Sequence, residues 1–129
     1  LGLQHRMILL GWLDDETTAM LRAEADLFLM PNIQVPNDVE GFGIAQLEGM
    51  YAGLPVVAFA VDALVESVRE GGYLIPANDY RAFVDEIQAY LSLPSSDKEA
   101  LREQARTYVR REYSWQDTTA RYLRVIQGD

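Results

Sequence analysis

Apolar residues in this chain come in two kinds of run: short unbroken ones, and longer ones in which they return every third or fourth position. Residues 7–10 form a short β-like run stopped by Gly11, and residues 26–30 read DLFLM. Residues 55–60 are continuously apolar and rich in branched side chains, as in a strand covered on both faces. YLI follows the Gly71-Gly72 turn. Each of these predicts a strand.

The longer runs predict helices. Residues 14–24 suit one, with Asp14 as N-cap and acidic residues in the first turn, where the helix dipole favours them. Ile44, Leu47, Tyr51 and Leu54 recur at helical spacing, predicting a helix that starts near Gly43, ends at Gly53 and turns Tyr51 into the core. A short helix is expected over 64–69. From Asp79 onward the pattern is helical: Val84, Ile87, Tyr90 and Leu91 share one apolar face, a second helix follows Pro94 to about Arg111, and SWQDTTARYLRVI forms a third. Residues 31–39, with Asn32, Pro36, Asn37 and Asp38, read as a loop. Strands alternating with helices predict an α/β protein with a parallel sheet, whose ligands lie beyond the carboxyl ends of the strands.

The 129 residues suit one domain, and 49% hydrophobic with 24% charged residues is ample for a core. A formal net charge of -9 argues against a general nucleic-acid or anionic-membrane binder, because both need a cationic surface. With no cysteine there is no disulfide, thiolate metal site or thiol nucleophile, and a cytoplasmic location is compatible. The single His5 rules out a multi-histidine metal site and reads as a surface or edge residue. No apolar run approaches the roughly 20 residues that cross a bilayer. The chain begins at Leu1, which suggests a fragment or a processed chain.

The candidate chemistry lies in EGFGIAQLEGMYAGLPVVA, residues 40–58. A helix starting near Gly43 offers unpaired backbone N–H groups of residues 41–44, from Gly41, Phe42, Gly43 and Ile44, and the positive end of its dipole. Glycines there let a ligand approach the backbone closely. Glu40 sits on the loop before the helix, and Glu48 lies about 7 Å along it at roughly 1.5 Å per residue. Two carboxylates so spaced can accept hydrogen bonds from hydroxyls at opposite ends of one elongated ligand, such as a sugar joined through phosphates to a ribose. The plainer alternative is that both serve only the helix dipole or water.

ADLFLMPN, EGFGIAQLEGMYAGLPVVA and the later YSW resemble, in order and spacing, the carboxyl-terminal donor-binding domain of the family four (group 1) retaining glycosyltransferases, which have a GT-B fold. The glutamate pair resembles that family's E-x7-E motif. The resemblance covers nearly the whole chain. It implies a Rossmann-like parallel sheet with flanking helices and a helical carboxyl-terminal end. It also implies a nucleotide-sugar donor, a sugar, lipid-linked or other hydroxyl acceptor held by a separate amino-terminal domain, and no metal or other cofactor.

Carried over on that resemblance, Glu40 is the catalytic residue, contacting the donor sugar near the reacting carbon. Gly41, Phe42, Gly43 and Ile44 bind the donor through their backbone, and Glu48 binds the ribose hydroxyls. Residues 1–129 are then a donor-binding domain lacking its first strands. In the sheet order 3-2-1-4-5-6 the run 7–10 would be separated from the run 26–30 by two vacant places. A cytoplasmic enzyme is implied, with any peripheral membrane contact made through the absent half.

The chain also departs from the family pattern. Where a Gly-Gly pair usually follows the strand at 55–60, it reads Val61-Asp62-Ala63, which adds negative charge near an anionic donor. Glu66 fits the glutamate that commonly follows, but Val65 replaces the usual proline. The paired Arg and Lys that neutralise the diphosphate lie upstream of this chain. A degenerate, non-catalytic nucleotide-sugar-binding or protein-interaction module is therefore the competing expectation. Glycogen-synthase-like and epimerase activities share the fold. Trp12 is expected to pack rather than line a cleft, and Trp115 to anchor the last helix. The charges around Arg106, Arg110 and Arg111 form a solvated helix face.

Overall fold

The structure, a computed structural model, describes residues 2–35 and 43–128. Three strands, β1 (Phe28–Met30), β2 (Val56–Phe59) and β3 (Gly72–Ile75), form a parallel sheet in the order β1-β2-β3. Phe28 pairs with Val56, and Val56 with Gly72. Parallel neighbours need crossovers. Helix α2 (Ala45–Ala52) makes the first, and α3 (Leu64–Ser67) with a 3-10 turn at Arg69–Gly71 makes the second. Helix α1 (Asp15–Glu24) precedes the sheet, while α4 (Tyr80–Leu91), α5 (Ser95–Glu112) and α6 (Trp115–Gln127) follow it.

The core is built on β2, whose four residues are all buried. Helices α2 and α4 pack against it, and α5 closes over α2 and the 3-10 turn. Met50, Leu64, Val68, Phe83, Tyr108 and Val109 complete the apolar interior. Phe59 meets Phe83 at 4.8 Å and the edge of Tyr80 at 5.3 Å between ring centroids. Arg102 Nη1 donates to the carbonyl of Ala25 at 2.9 Å, tying α5 to the end of α1.

Helix boundaries follow their caps. Asp14 accepts from Thr17 N at 2.7 Å, and that bond holds its carboxyl below the usual aspartate value. Asp79 caps α4 by accepting from Ala82 N, and Ser114 caps α6 by accepting from Asp117 N. Gly53 ends α2 at φ 91°, a left-handed cap that glycine takes without strain.

Several expectations change. Residues 7–10 carry no strand and are exposed, with Leu9 at 91%. A strand exists only where a neighbour pairs with its backbone, and among the described residues the sheet offers this run none. The helix expected over 64–69 divides at Val68 into α3 and the 3-10 turn. The apolar face of α4 is Phe83, Ile87 and Tyr90, while Val84 and Leu91 are half exposed. Tyr51 lies on the outer side of α2 at 58% exposure rather than in the core, and Trp12 and Trp115 are exposed instead of packed. Helical spacing placed Tyr51 with the apolar residues, but Gln46, Gly49 and Met50 are what α2 buries. His5 is exposed, as expected.

Candidate functional site

The E-x7-E stretch follows β1, and the crossover returns the chain so that α2 starts on the side of the sheet where the strands end. Glu40, Gly41 and Phe42 lie outside the described residues. From Gly43 onward the geometry is defined. Gly43 has φ 64°, in the left-handed region that favours glycine, and Ile44 is the exposed N-cap of α2. The helix thus begins at Ala45, slightly later than the pattern predicts, and Glu48 N donates to Ile44 O at 3.0 Å.

Glu48 stands in the first turn of α2 with its side chain half exposed. Arg22 Nη2, from α1, donates to Glu48 Oε2 at 2.6 Å. No sequence spacing announces this contact, since the partners are 26 residues apart on different helices. A pair this accessible to water contributes only about 0–1 kcal/mol to stability. Its consequence is directional: one carboxylate oxygen faces a cation, and the other can accept from a hydroxyl.

The turn after β2 carries the departure from the family pattern at residues 61–63. Asp62 has φ 44°, a left-handed conformation rarely taken by a residue with a side chain. Val61 and Leu64 on either side are buried, and Leu64 N donates to Val61 O at 3.1 Å. The backbone at this departure from the family pattern thus has a shape that glycine adopts freely, with a carboxylate added. Glu66 holds its carbonyl toward the helices behind it, accepting from the hydroxyls of Tyr108 at 3.4 Å and Tyr113 at 3.3 Å. Burial, then the contact with Tyr113, pushes the Tyr108 hydroxyl well above the usual tyrosine value.

A groove of about 790 Å³ opens between α1, α2 and the α5–α6 junction, lined among others by Arg22, Glu48, Tyr51 and Trp115. Leu47 and Glu48 bring the helix end of the glutamate stretch to its lining, Glu40 lying outside the described residues. Arg110 lies over the Tyr51 ring at 5.4 Å, so the exposed tyrosine pairs with a cation. Among the described residues no three His, Cys, Asp or Glu side chains converge as a metal site, and no helix is long and apolar enough to cross a membrane.

A parallel sheet with crossover helices and a glycine turn feeding α2 defines a Rossmann-like α/β domain, and comparison with known proteins gives its family. The chain belongs to the family Glycosyl transferases group 1, whose model matches residues 1–108. It is 35% identical to a phosphatidyl-myo-inositol mannosyltransferase of Mycobacterium leprae, over 98% of this chain and 33% of that protein. It is also 35% identical to the O-antigen chain mannosyltransferase B of Escherichia coli, over 88% of this chain and 28% of the other. Among solved structures it resembles a sucrose-phosphate synthase from Thermosynechococcus elongatus, with a TM-score of 0.78 and 27% identity, over 98% of this chain and 32% of that one. The expected GT-B-type α/β fold is thereby established. The chain spans about a third of the length of these relatives.

Proposed function

We propose that this chain is the donor-binding part of a retaining glycosyltransferase that moves a sugar from a nucleotide-sugar to a hydroxyl acceptor, the acceptor being held by a separate amino-terminal domain. The observation that supports this best is the start of α2, where the left-handed Gly43 leads into a helix that carries Glu48 in its first turn, in a chain of the group 1 family. In this reading the N–H groups of Gly41, Phe42, Gly43 and Ile44 receive the sugar hydroxyls or diphosphate. Glu48 receives the ribose hydroxyls, and Glu40 acts at the sugar. The acceptor attacks the face from which the diphosphate departs, so the anomeric configuration is kept. The protein's contribution is positioning and stabilisation of charge on the leaving group, without a metal ion.

Asp62 favours a second reading, a degenerate domain that binds without turnover, because its carboxylate adds negative charge on the side where an anionic donor would lie. Against it, the turn still has the left-handed geometry of a glycine.

An amide NMR titration with UDP, GDP and ADP sugars tests the assignment. Shifts confined to residues 40–48 support the donor site and identify its nucleotide. A protein that gives dispersed peaks and no shifts, both as this chain and within a longer protein carrying its upstream residues, contradicts it.

Two substitutions separate the roles of the glutamates. Glu48→Ala is expected to weaken donor binding by about 1 to 3 kcal/mol, the range for losing charged hydrogen bonds, and unchanged affinity would remove it from the ribose. Glu40→Ala is expected to slow turnover while leaving binding of the free nucleotide nearly intact, and an equal loss of nucleotide affinity would contradict that role.

A further inference from the structure

The first turn of α2 buries a primary amide. Gln46 and Ser67 are each 0% exposed, and Gln46 Nε2 donates to Ser67 Oγ at 2.9 Å across 21 residues of sequence. Gln46 also folds beneath the glycine turn: a Cβ placed on Gly43 would stand 2.7 Å from Gln46 Oε1 and 2.8 Å from Nε2. Gly43 is therefore required twice, once by its positive φ and once because the amide fills the space a side chain would need. At the other end of the bond, Ser67 closes α3, and Ser67 N donates to Ala63 O at 3.0 Å. The Gln46 side chain thus joins the left-handed turn at Gly43 to the short segment that begins with the left-handed turn at Asp62.

Stability alone does not ask for this arrangement. Burying an amide and a hydroxyl costs free energy that their hydrogen bond only offsets, and two apolar side chains of similar shape would fill the site about as well. What the polar pair adds is direction. Apolar contacts tolerate a slide of one helix past another, whereas an amide donating to one hydroxyl fixes a register.

We propose that Gln46 is a positioning residue of the donor site: its buried amide, lodged under Gly43 and bonded to Ser67, holds the start of α2 in register with the turn at Asp62. The inference rests on the donor-site reading above. A nucleotide-sugar held between these two turns depends on their separation, and small misplacements carry large losses in such sites.

The experiment compares wild type, Ser67→Ala and the double variant Q46L/S67V in the full-length enzyme that carries this chain. It measures thermal unfolding and, by calorimetric titration, affinity for UDP, GDP and ADP. The double variant keeps the site filled with apolar groups, so its unfolding temperature should stay within a few degrees of wild type. Its affinity for the preferred nucleotide is expected to fall about tenfold, with Ser67→Ala falling by a similar factor, because both lose the register. Wild-type affinity in either folded variant overturns the inference and leaves the donor site standing. A wild-type protein that binds none of the three nucleotides overturns the donor-site reading and the inference with it. Should the double variant fail to fold, Ser67→Ala, which removes a single oxygen, decides the matter.

Discussion

Residues 7–10 and strand β2 are both apolar runs of four residues, yet their fates are opposite. All four residues of β2 are buried, between β1 and β3 and under α2 and α4. In the other run Ile8 and Leu9 are 77% and 91% exposed, and the backbone makes no ladder. Branched and aromatic side chains favour β2, but both runs are apolar throughout, and the larger difference is the supply of neighbours. Apolar patterning gives a segment its affinity for a sheet, and pairing partners decide whether it becomes a strand.

Truncation sharpens that contrast most. Phe59→Ala removes a wholly buried ring from between Phe83 and Tyr80 and is expected to cost about 3–5 kcal/mol of stability by denaturant unfolding. Leu9→Ser in this chain is expected to change stability by less than about 0.5 kcal/mol, as at other exposed positions. Comparable losses for the two would mean that residues 7–10 are paired in solution, and the contrast would fail.

A smaller effect is expected where the chain is delivered into β2. Gly53→Ala forces a side chain into a left-handed cap and against Arg106, and should cost about 1–2 kcal/mol, read from the same unfolding curves. No loss would show that β2 is held by its neighbours alone, whatever the geometry of its approach.

The smallest effect concerns α1, which joins the exposed run to the sheet. The Asp14 carboxyl titrates below its ordinary value of 3.8 because it accepts from Thr17 N in the folded state. A depressed folded value means that this cap is fully present above the unfolded-state value and is lost as the pH falls through the folded one. Protection of the Thr17 and Thr18 amides, measured as exchange relative to the intrinsic rate at each pH, should therefore fall in that acidic window in wild type, and not in Asp14→Asn, where the cap does not titrate. Identical pH profiles in the two would show that the carboxylate is not what holds the helix start.

The site itself was legible unequally. Gly43 and Glu48 stand out in the sequence as candidates, because a left-handed turn before a helix asks for glycine and the resembled motif has a fixed spacing; the positive φ at Gly43 agrees, and their ligand roles are those proposed above. Arg22 does not, because its role comes from two helices meeting, which no local pattern encodes. Gln46 occupies an unspecified position of the resembled motif, and the signal that finds it is a polar residue on the buried side of a helix. Tyr51 departs from its pattern for the converse reason: its ring is apolar enough to suit a core, and Arg110 supplies a partner at the surface.

The sequence by itself determined the alternation of strand and helix, the capping residues Asp14 and Gly53, and membership of a glycosyltransferase family, because each depends on local dihedral preference or on a motif of fixed spacing. Tertiary structure alone decided which apolar runs pair, that Glu48 shares its carboxylate with Arg22, and that the buried Gln46 amide meets Ser67. These depend on residues far apart in the chain arriving at hydrogen-bonding distance, and only the packing of helices on a sheet sets that distance.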